Sequence, residues 1–167
     1  MRKAVRVLAE HGIPSLVVGG YAVQEHGYAR FTSDVDIVVP DVAAAMERLS
    51  ISGFRVNPGS SMTLTDRVSK VEIDLLPGDG AVGPGPLMLP LPAVVSEEPT
   101  IATLRTLIEI KLSSYLGSPV SRLRDLADVI ELIKANDLDE SFALHEAVAG
   151  KFIEVLRDMR AEGNRSK

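Results

Sequence analysis

The 167-residue chain contains no cysteine and no tryptophan, and aromatic residues make up only 4% of it. Without thiols there is no disulfide framework, no cysteine-ligated zinc and no thiol nucleophile. So few flat side chains argue against a single-strand nucleic-acid reader, which works by stacking bases on aromatic platforms. An excess of cations is missing too. A net charge of −5 argues against a non-specific coat for DNA or RNA, whose affinity comes from neutralising phosphates. One nucleic-acid end held in a locally basic cleft remains compatible with that charge. No apolar run is long enough to cross a bilayer. Glu10 and His11 interrupt the segment behind Arg2, Lys3 and Arg6 before a signal-peptide core forms. A cytoplasmic protein with no membrane partner is expected.

What is present is the ordinary material of a globular domain: 46% hydrophobic and 25% charged residues, in a chain long enough to bury a real core. Val5 and Leu8 stand at helical spacing within residues 2 to 11, and Gly12 closes that helix. Ser15-Leu16-Val17-Val18 reads as a buried strand broken by Gly19-Gly20, with a short helix over Tyr21 to His26 closed by Gly27. Thr32 to Val39 is the second strand. Its period of two places Val35, Ile37 and Val39 on one face and Asp34, Asp36 and Val38 on the other. Pro40 stops it, and Asp41 caps a helix to about Ser50. Phe54–Val56, Met62–Thr65 and Val68–Leu76 are further strands, the last two joined by a turn at Asp66-Arg67.

From Pro77 to Pro99 glycine and proline crowd together, which reads as a long surface crossing with room for one short strand. Helical spacing returns at Thr100, with Ile101, Leu104, Leu107, Ile108 and Leu112 on one apolar face up to Gly117-Ser118-Pro119. Further helices are expected over Ser121 to Ala135 and from about Asp139 to Glu162, with Gly163 to Lys167 as a frayed end. The organisation expected is a core over residues 1–99 and a helical region over 100–167 packed on it as one compact unit. The apolar faces of these last helices suit either core packing or a homodimer.

The chemistry concentrates on three carboxylates. Asp34 and Asp36 lie two apart on one strand, so both point from the same face. Two anions that close repel one another unless a cation sits between them, and magnesium suits oxygen donors because it also keeps waters and takes phosphate oxygens. Asp74 likewise leaves the core face of its strand. If that strand pairs beside the first, three carboxylates converge, enough for a two-metal site. Glu72 shares a face with Asp74 and competes for the third position. Taken singly, each of these is also what an exposed polar residue on a half-buried strand looks like. Gly19-Gly20, at a strand-to-helix junction, let the backbone approach a phosphate, or merely make a tight turn. Arg30 neutralises phosphate or pairs with Asp34. His26 reads as a packing residue before its glycine.

Together, Gly19-Gly20, His26-Gly27, Arg30, Thr32, Asp34-Val35-Asp36 and Asp74 resemble the signature of the polymerase-β-like nucleotidyltransferase superfamily. More narrowly they resemble its bacterial AbiEii/MenT-like group, known as toxins of toxin–antitoxin and phage-defence systems. Residues 107–112 (Leu-Ile-Glu-Ile-Lys-Leu) and 122–129 (Arg-Leu-Arg-Asp-Leu-Ala-Asp-Val) are similar to that group's lysine helix and the aspartate helix after it. The resemblance implies an α+β nucleotidyltransferase fold, a mixed β-sheet flanked by helices with a C-terminal helical bundle. It implies magnesium-dependent transfer of an NMP from an NTP such as ATP to an acceptor hydroxyl, on a tRNA 3′ end or a protein, and a cognate antitoxin or toxin as partner.

Under the same resemblance Asp34 and Asp36 bind metal, and Asp74 assists in activating the acceptor. Ser33, Gly19 and Gly20 contact phosphates, and Lys111 binds the triphosphate. Asp125 or Asp128 completes the site; three apart on one helix, they are not distinguished by pattern. Otherwise Lys111 lays its stem along the apolar face, and the two aspartates are helix-terminal charge and a surface ion pair. The chain is short for the group and elaborated at its Pro/Gly crossing, which bears on the acceptor and not on the metal core. Two other functions share these residues: an antibiotic nucleotidyltransferase of the lincosamide or aminoglycoside kind, and a non-catalytic antitoxin-type module that keeps the fold without turnover.

Overall fold

A computed structural model describes residues 1–165 of the chain. Those residues divide into two compact units. One comprises Met1–Glu25, Ala29–Gly80 and Met88–Ala102, the other His26–Tyr28, Ala81–Leu87 and the described chain from Thr103 onward.

The first unit contains α1 (Arg2–Glu10), β1 (Leu16–Val17), α2 (Gly19–Glu25), β2 (Asp34–Val39), α3 (Val42–Ile51), β3 (Phe54–Val56), β4 (Thr63–Asp66) and β5 (Glu72–Pro77). The strands form one sheet in the order β1-β2-β5-β4-β3. Only β2 and β5 run parallel, with Asp34 opposite Glu72 and Asp36 opposite Asp74; the other pairs are antiparallel. A parallel pair needs a crossover, and α3 with the β3–β4 hairpin supplies it. As the alternation requires, Val35, Ile37 and Val39 are buried in one cluster with Ile73, Leu75, Leu64, Leu8 of α1 and Leu49 of α3. Each such side chain contributes roughly 1.5–3 kcal/mol by leaving water. Asp41 caps α3 by accepting the Ala44 N–H at 3.0 Å.

Ile101 is not helical: it bridges Val17 in parallel fashion, covering the outer edge of β1, and the following helix starts only after Thr103, whose hydroxyl accepts the Thr106 N–H at 3.2 Å. The turn after β4 is also longer than Asp66-Arg67. The Asp66 carboxylate takes the Val68 N–H at 2.9 Å, Lys70 turns with φ of 63°, and β5 begins at Glu72. This is the familiar competition of an aspartate side chain with strand pairing.

Burial works to raise the Asp66 pKa, but the Val68 N–H and the Lys3 ammonium at 3.1 Å outweigh it and hold the carboxyl below its ordinary value. A depressed folded-state pKa stabilises the fold above the unfolded value of about 3.9 and loses that contribution as pH falls through the folded value. Urea midpoints measured downward from pH 5 should therefore fall less steeply in Asp66→Asn than in the parent. Parallel curves would remove Asp66 from the acid response.

The second unit contains α4 (Leu104–Gly117), α5 (Leu123–Ala135) and α6 (Glu146–Arg165), with α4 packed on both others. Leu107, Ile108, Leu112, Leu132 and Phe152 are fully buried in it. The Pro/Gly crossing forms no regular strand among the described residues. Part of it is pinned instead: a Cβ on Gly85 would lie 2.1 Å from the Ser113 carbonyl oxygen, and the Leu87 N–H donates to Ser113 Oγ at 2.9 Å. α6 starts later than spacing suggests. Asp139 ties its own turn through the Ser141 N–H and hydroxyl at 2.8 and 2.6 Å, and Glu109 takes the His145 N–H at 2.7 Å. α6 continues to Arg165, through part of the segment expected to fray; Ser166 and Lys167 lie outside the described residues. No described helix is long and apolar enough to cross a membrane.

Candidate functional site

The parallel pairing of β2 with β5 makes the site. Opposed residues on neighbouring strands share a face, so Asp74 meets Asp36, and Asp34 follows two residues earlier on the same side. Carboxylate oxygens of Asp34, Asp36 and Asp74 lie within 4.8 Å of one another, all three side chains half-buried. At an effective dielectric near 20, two such charges repel by about 3–4 kcal/mol. Three hard oxygen donors gathered this closely fit magnesium, which would offset the repulsion. Two threonines aim the cluster: Thr32 Oγ1 donates to Asp34 Oδ1 at 2.8 Å, and Thr63 Oγ1 donates to Asp74 Oδ1 at 2.7 Å. Glu72 faces the same side but stands apart, its carboxylate taking the Asn57 amide N–H at 2.8 Å.

The diglycine is packed against this cluster. The Val18 N–H donates to the Asp36 carbonyl oxygen at 3.0 Å, which draws the start of α2 onto β2. Both glycines lie within the first turn of α2, whereas spacing alone places them ahead of the helix. Gly19 has φ of 62°, and a Cβ there would sit 1.8 Å from Asp36 Oδ2. A Cβ on Gly20 would meet Thr32 Oγ1 at 2.6 Å and an Arg30 guanidinium nitrogen at 2.8 Å. Arg30 also donates to the Phe31 carbonyl at 3.2 Å, while Gln24 donates to the Arg30 carbonyl. Ser33 is exposed at the entry to β2.

Gly19→Ala is expected to cost about 1–2 kcal/mol for its left-handed backbone alone and to push the Asp36 carboxylate out of the cluster. Differential scanning fluorimetry with and without magnesium checks both effects: a lower melting temperature and a lost response to the ion. An unchanged magnesium response would show that Gly19 does not set the position of Asp36.

Lys111, Asp125 and Asp128 belong to the second unit and form a cluster of their own. Lys111 Nζ lies 2.9 Å from Asp125 Oδ1 and 2.6 Å from Asp128 Oδ2. Lys111 is 4% exposed and Asp128 1%. Ser114 Oγ donates to Asp125 Oδ2 at 2.8 Å. Positions 125 and 128 are one helical turn apart, so both reach the same ammonium. Spacing does not choose between them as the site residue, and both contact the Lys111 ammonium.

Sequence reasoning missed Thr63 and Asn57. The one available signal was that Thr63 and Thr65 alternate with the apolar Leu64, placing two hydroxyls on the polar face of β4.

No family model and no curated protein matches the chain. Solved structures do. The solution structure of the antibiotic-resistance factor ANT(2″)-Ia aligns with a TM-score of 0.54 at 14% identity, over 98% of this chain and 92% of that one. The crystal structure of ANT(2″)-Ia in complex with adenylyl-2″-tobramycin aligns with a TM-score of 0.51 at 13% identity, over 96% and 94%. A tRNA nucleotidyltransferase complexed with a primer tRNA and an incoming ATP analog gives a TM-score of 0.44 at 17% identity, covering 92% of this chain and 50% of that one. The first two likenesses establish the architecture as the nucleotidyltransferase fold, with its mixed α+β sheet.

Proposed function

We propose that the chain is a magnesium-dependent nucleotidyltransferase that moves an NMP from an NTP to an acceptor hydroxyl. The observation that carries this reading is the convergence of Asp34, Asp36 and Asp74 on one sheet face of that fold, with Gly19 closed against Asp36. In the reaction a bond forms between the acceptor oxygen and the α-phosphorus, and the bond from that phosphorus to pyrophosphate breaks. Asp34 and Asp36 hold the metal, and Asp74 shares in it. Magnesium bound there supplies the positive charge that favours an ionised acceptor hydroxyl and a departing pyrophosphate. Asp74, which accepts the Thr63 hydroxyl, is assigned to take the acceptor proton. Gly19, Gly20, Ser33 and Arg30 line the entry to β2 and are assigned to the phosphates. Lys111, Asp125 and Asp128 are assigned to the nucleotide through the family resemblance.

The acceptor in this reading is a nucleic-acid 3′ end such as that of tRNA, in a toxin with a cognate antitoxin. A second reading takes its support from the near-complete mutual coverage with ANT(2″)-Ia: a small aminoglycoside as acceptor. Purified protein with magnesium, each labelled NTP, and either total bacterial tRNA or tobramycin separates them. Label appearing on RNA, absent in Asp34→Ala/Asp36→Ala, supports the first; label on tobramycin alone supports the second. Transfer by the double variant at the parent rate would refute the assignment of the site.

A further inference from the structure

The polar face of the sheet does not end at the carboxylates. Asp34 lies opposite Glu72, Glu72 opposite Thr65, and Thr65 opposite Arg55. These four form one cross-strand row, and three strand spacings separate its ends, about 14 Å. At the far end Arg55, Thr65, Asp66, Arg67 and Lys70 line a cleft of about 270 Å³.

Three cations meet there in a chain whose net charge is −5. The one carboxylate in the lining is already engaged: Asp66 accepts the Val68 N–H and pairs with Lys3. Glu72, next along the row, is held by Asn57. Among the described residues Arg55 makes no ion pair and no side-chain hydrogen bond. Arg67 uses Nε on the Phe54 carbonyl at 3.4 Å, and Lys70 gives one N–H to the Arg67 carbonyl at 2.7 Å. The terminal amino groups of both arginines and the remaining ammonium protons point to an anion. Guanidinium forks beside an ammonium match a phosphate.

We propose that this cleft binds a backbone phosphate of a single-stranded nucleic-acid acceptor whose terminal hydroxyl lies at the Asp34/Asp36/Asp74 cluster. The position of the hydroxyl rests on the transferase reading; the phosphate contact does not. A polycationic aminoglycoside would be repelled at this end of the row, so the cleft discriminates between the two acceptor classes. Gripping one phosphate also needs no stacking platform, in keeping with so few aromatic residues.

Fluorescence anisotropy of a short labelled RNA with the full chain tests this, beside competition by inorganic phosphate and the labelled-NTP transfer assay. Arg55→Ala/Arg67→Ala/Lys70→Ala should melt like the parent, lose about tenfold or more in RNA affinity, and show a shallower dependence on salt, by roughly 0.7 in log–log slope for each phosphate contact removed. Arg55→Glu alone, at an exposed position, serves if the triple variant melts early. Asp34→Ala/Asp36→Ala should keep RNA affinity and lose transfer. RNA bound equally by parent and cleft variants would overturn the proposal. So would inorganic phosphate that binds through the arginines while RNA does not, which would assign the cleft to a free anion. Arginine-dependent RNA binding without transfer to any acceptor would instead bring down the transferase reading and leave the phosphate contact standing.

Discussion

Asp74→Asn is expected to lose NMP transfer by on the order of 10³-fold while melting at or above the parent's temperature. The two effects come from one charge. Asn keeps the size of Asp and an oxygen that still accepts the Thr63 hydroxyl, now 2.7 Å from Asp74 Oδ1. It removes one of three anions whose oxygens lie within 4.8 Å of one another, and with it a repulsion of about 3–4 kcal/mol per pair, reduced by whatever water screens. In the proposed reaction the same charge helps to hold the cation and takes the proton, and a loss of several kcal/mol of transition-state stabilisation is about three decades in rate. Steady-state transfer and thermal melts on the same preparation check it. EDTA should lower the parent's melting temperature and leave that of Asp74→Asn nearly unmoved. A variant that is both inactive and markedly less stable would show that Asp74 is structural.

Lys111→Met is expected to destabilise the chain by about 3–5 kcal/mol, the usual cost of removing one member of a buried ion pair. Methionine matches the length of the lysine stem, so packing is largely kept. What remains is Asp125 and Asp128 facing each other without the ammonium that lay 2.9 and 2.6 Å from them. Lys111→Met/Asp125→Asn/Asp128→Asn should recover most of the loss, since an apolar or neutral replacement of a whole buried ionic group is often neutral. Urea unfolding of the single and triple variants measures that coupling. If the triple variant is as unstable as the single one, the unpaired carboxylate charges are not what destabilises Lys111→Met. The cluster also bears on the triphosphate role implied for Lys111: its ammonium already contacts two carboxylates, so nucleotide contact requires it to share or exchange them.

Local chemistry was legible in the chain and long-range pairing was not. The alternation through Asp34-Val35-Asp36-Ile37 fixes which way the carboxylates point, because a strand has only two faces. It cannot say that Asp74, rather than Glu72, is the residue opposite Asp36; that follows from the register of β5 against β2. Gly19 and Gly20 were readable as a close approach, yet what they approach, Asp36 Oδ2 and Thr32 Oγ1, depends on the Val18 bond to β2. The starts of α4 and α6 moved where side chains captured backbone groups. Thr103 and Asp139 each take the N–H groups of residues just ahead of them, and hydrophobic spacing carries no trace of such bonds. Ile101 continued the apolar period of α4 but was drawn to the edge of β1, a tertiary preference overriding a helical one.

The parallel pairing of β2 with β5 also bears on when the protein becomes competent. Asp34 and Asp36 leave the ribosome well before Asp74, and between them the chain must lay down α3 and the β3–β4 hairpin. Pairings that span so much intervening chain form late and slowly, because the loop must be closed before any contact rewards it. A nascent or truncated chain ending near Val56 therefore carries two of the carboxylates but not the three-carboxylate cluster. On the proposed reading, magnesium binding would report on completion of the crossover, and the ion would stabilise only molecules that have already folded.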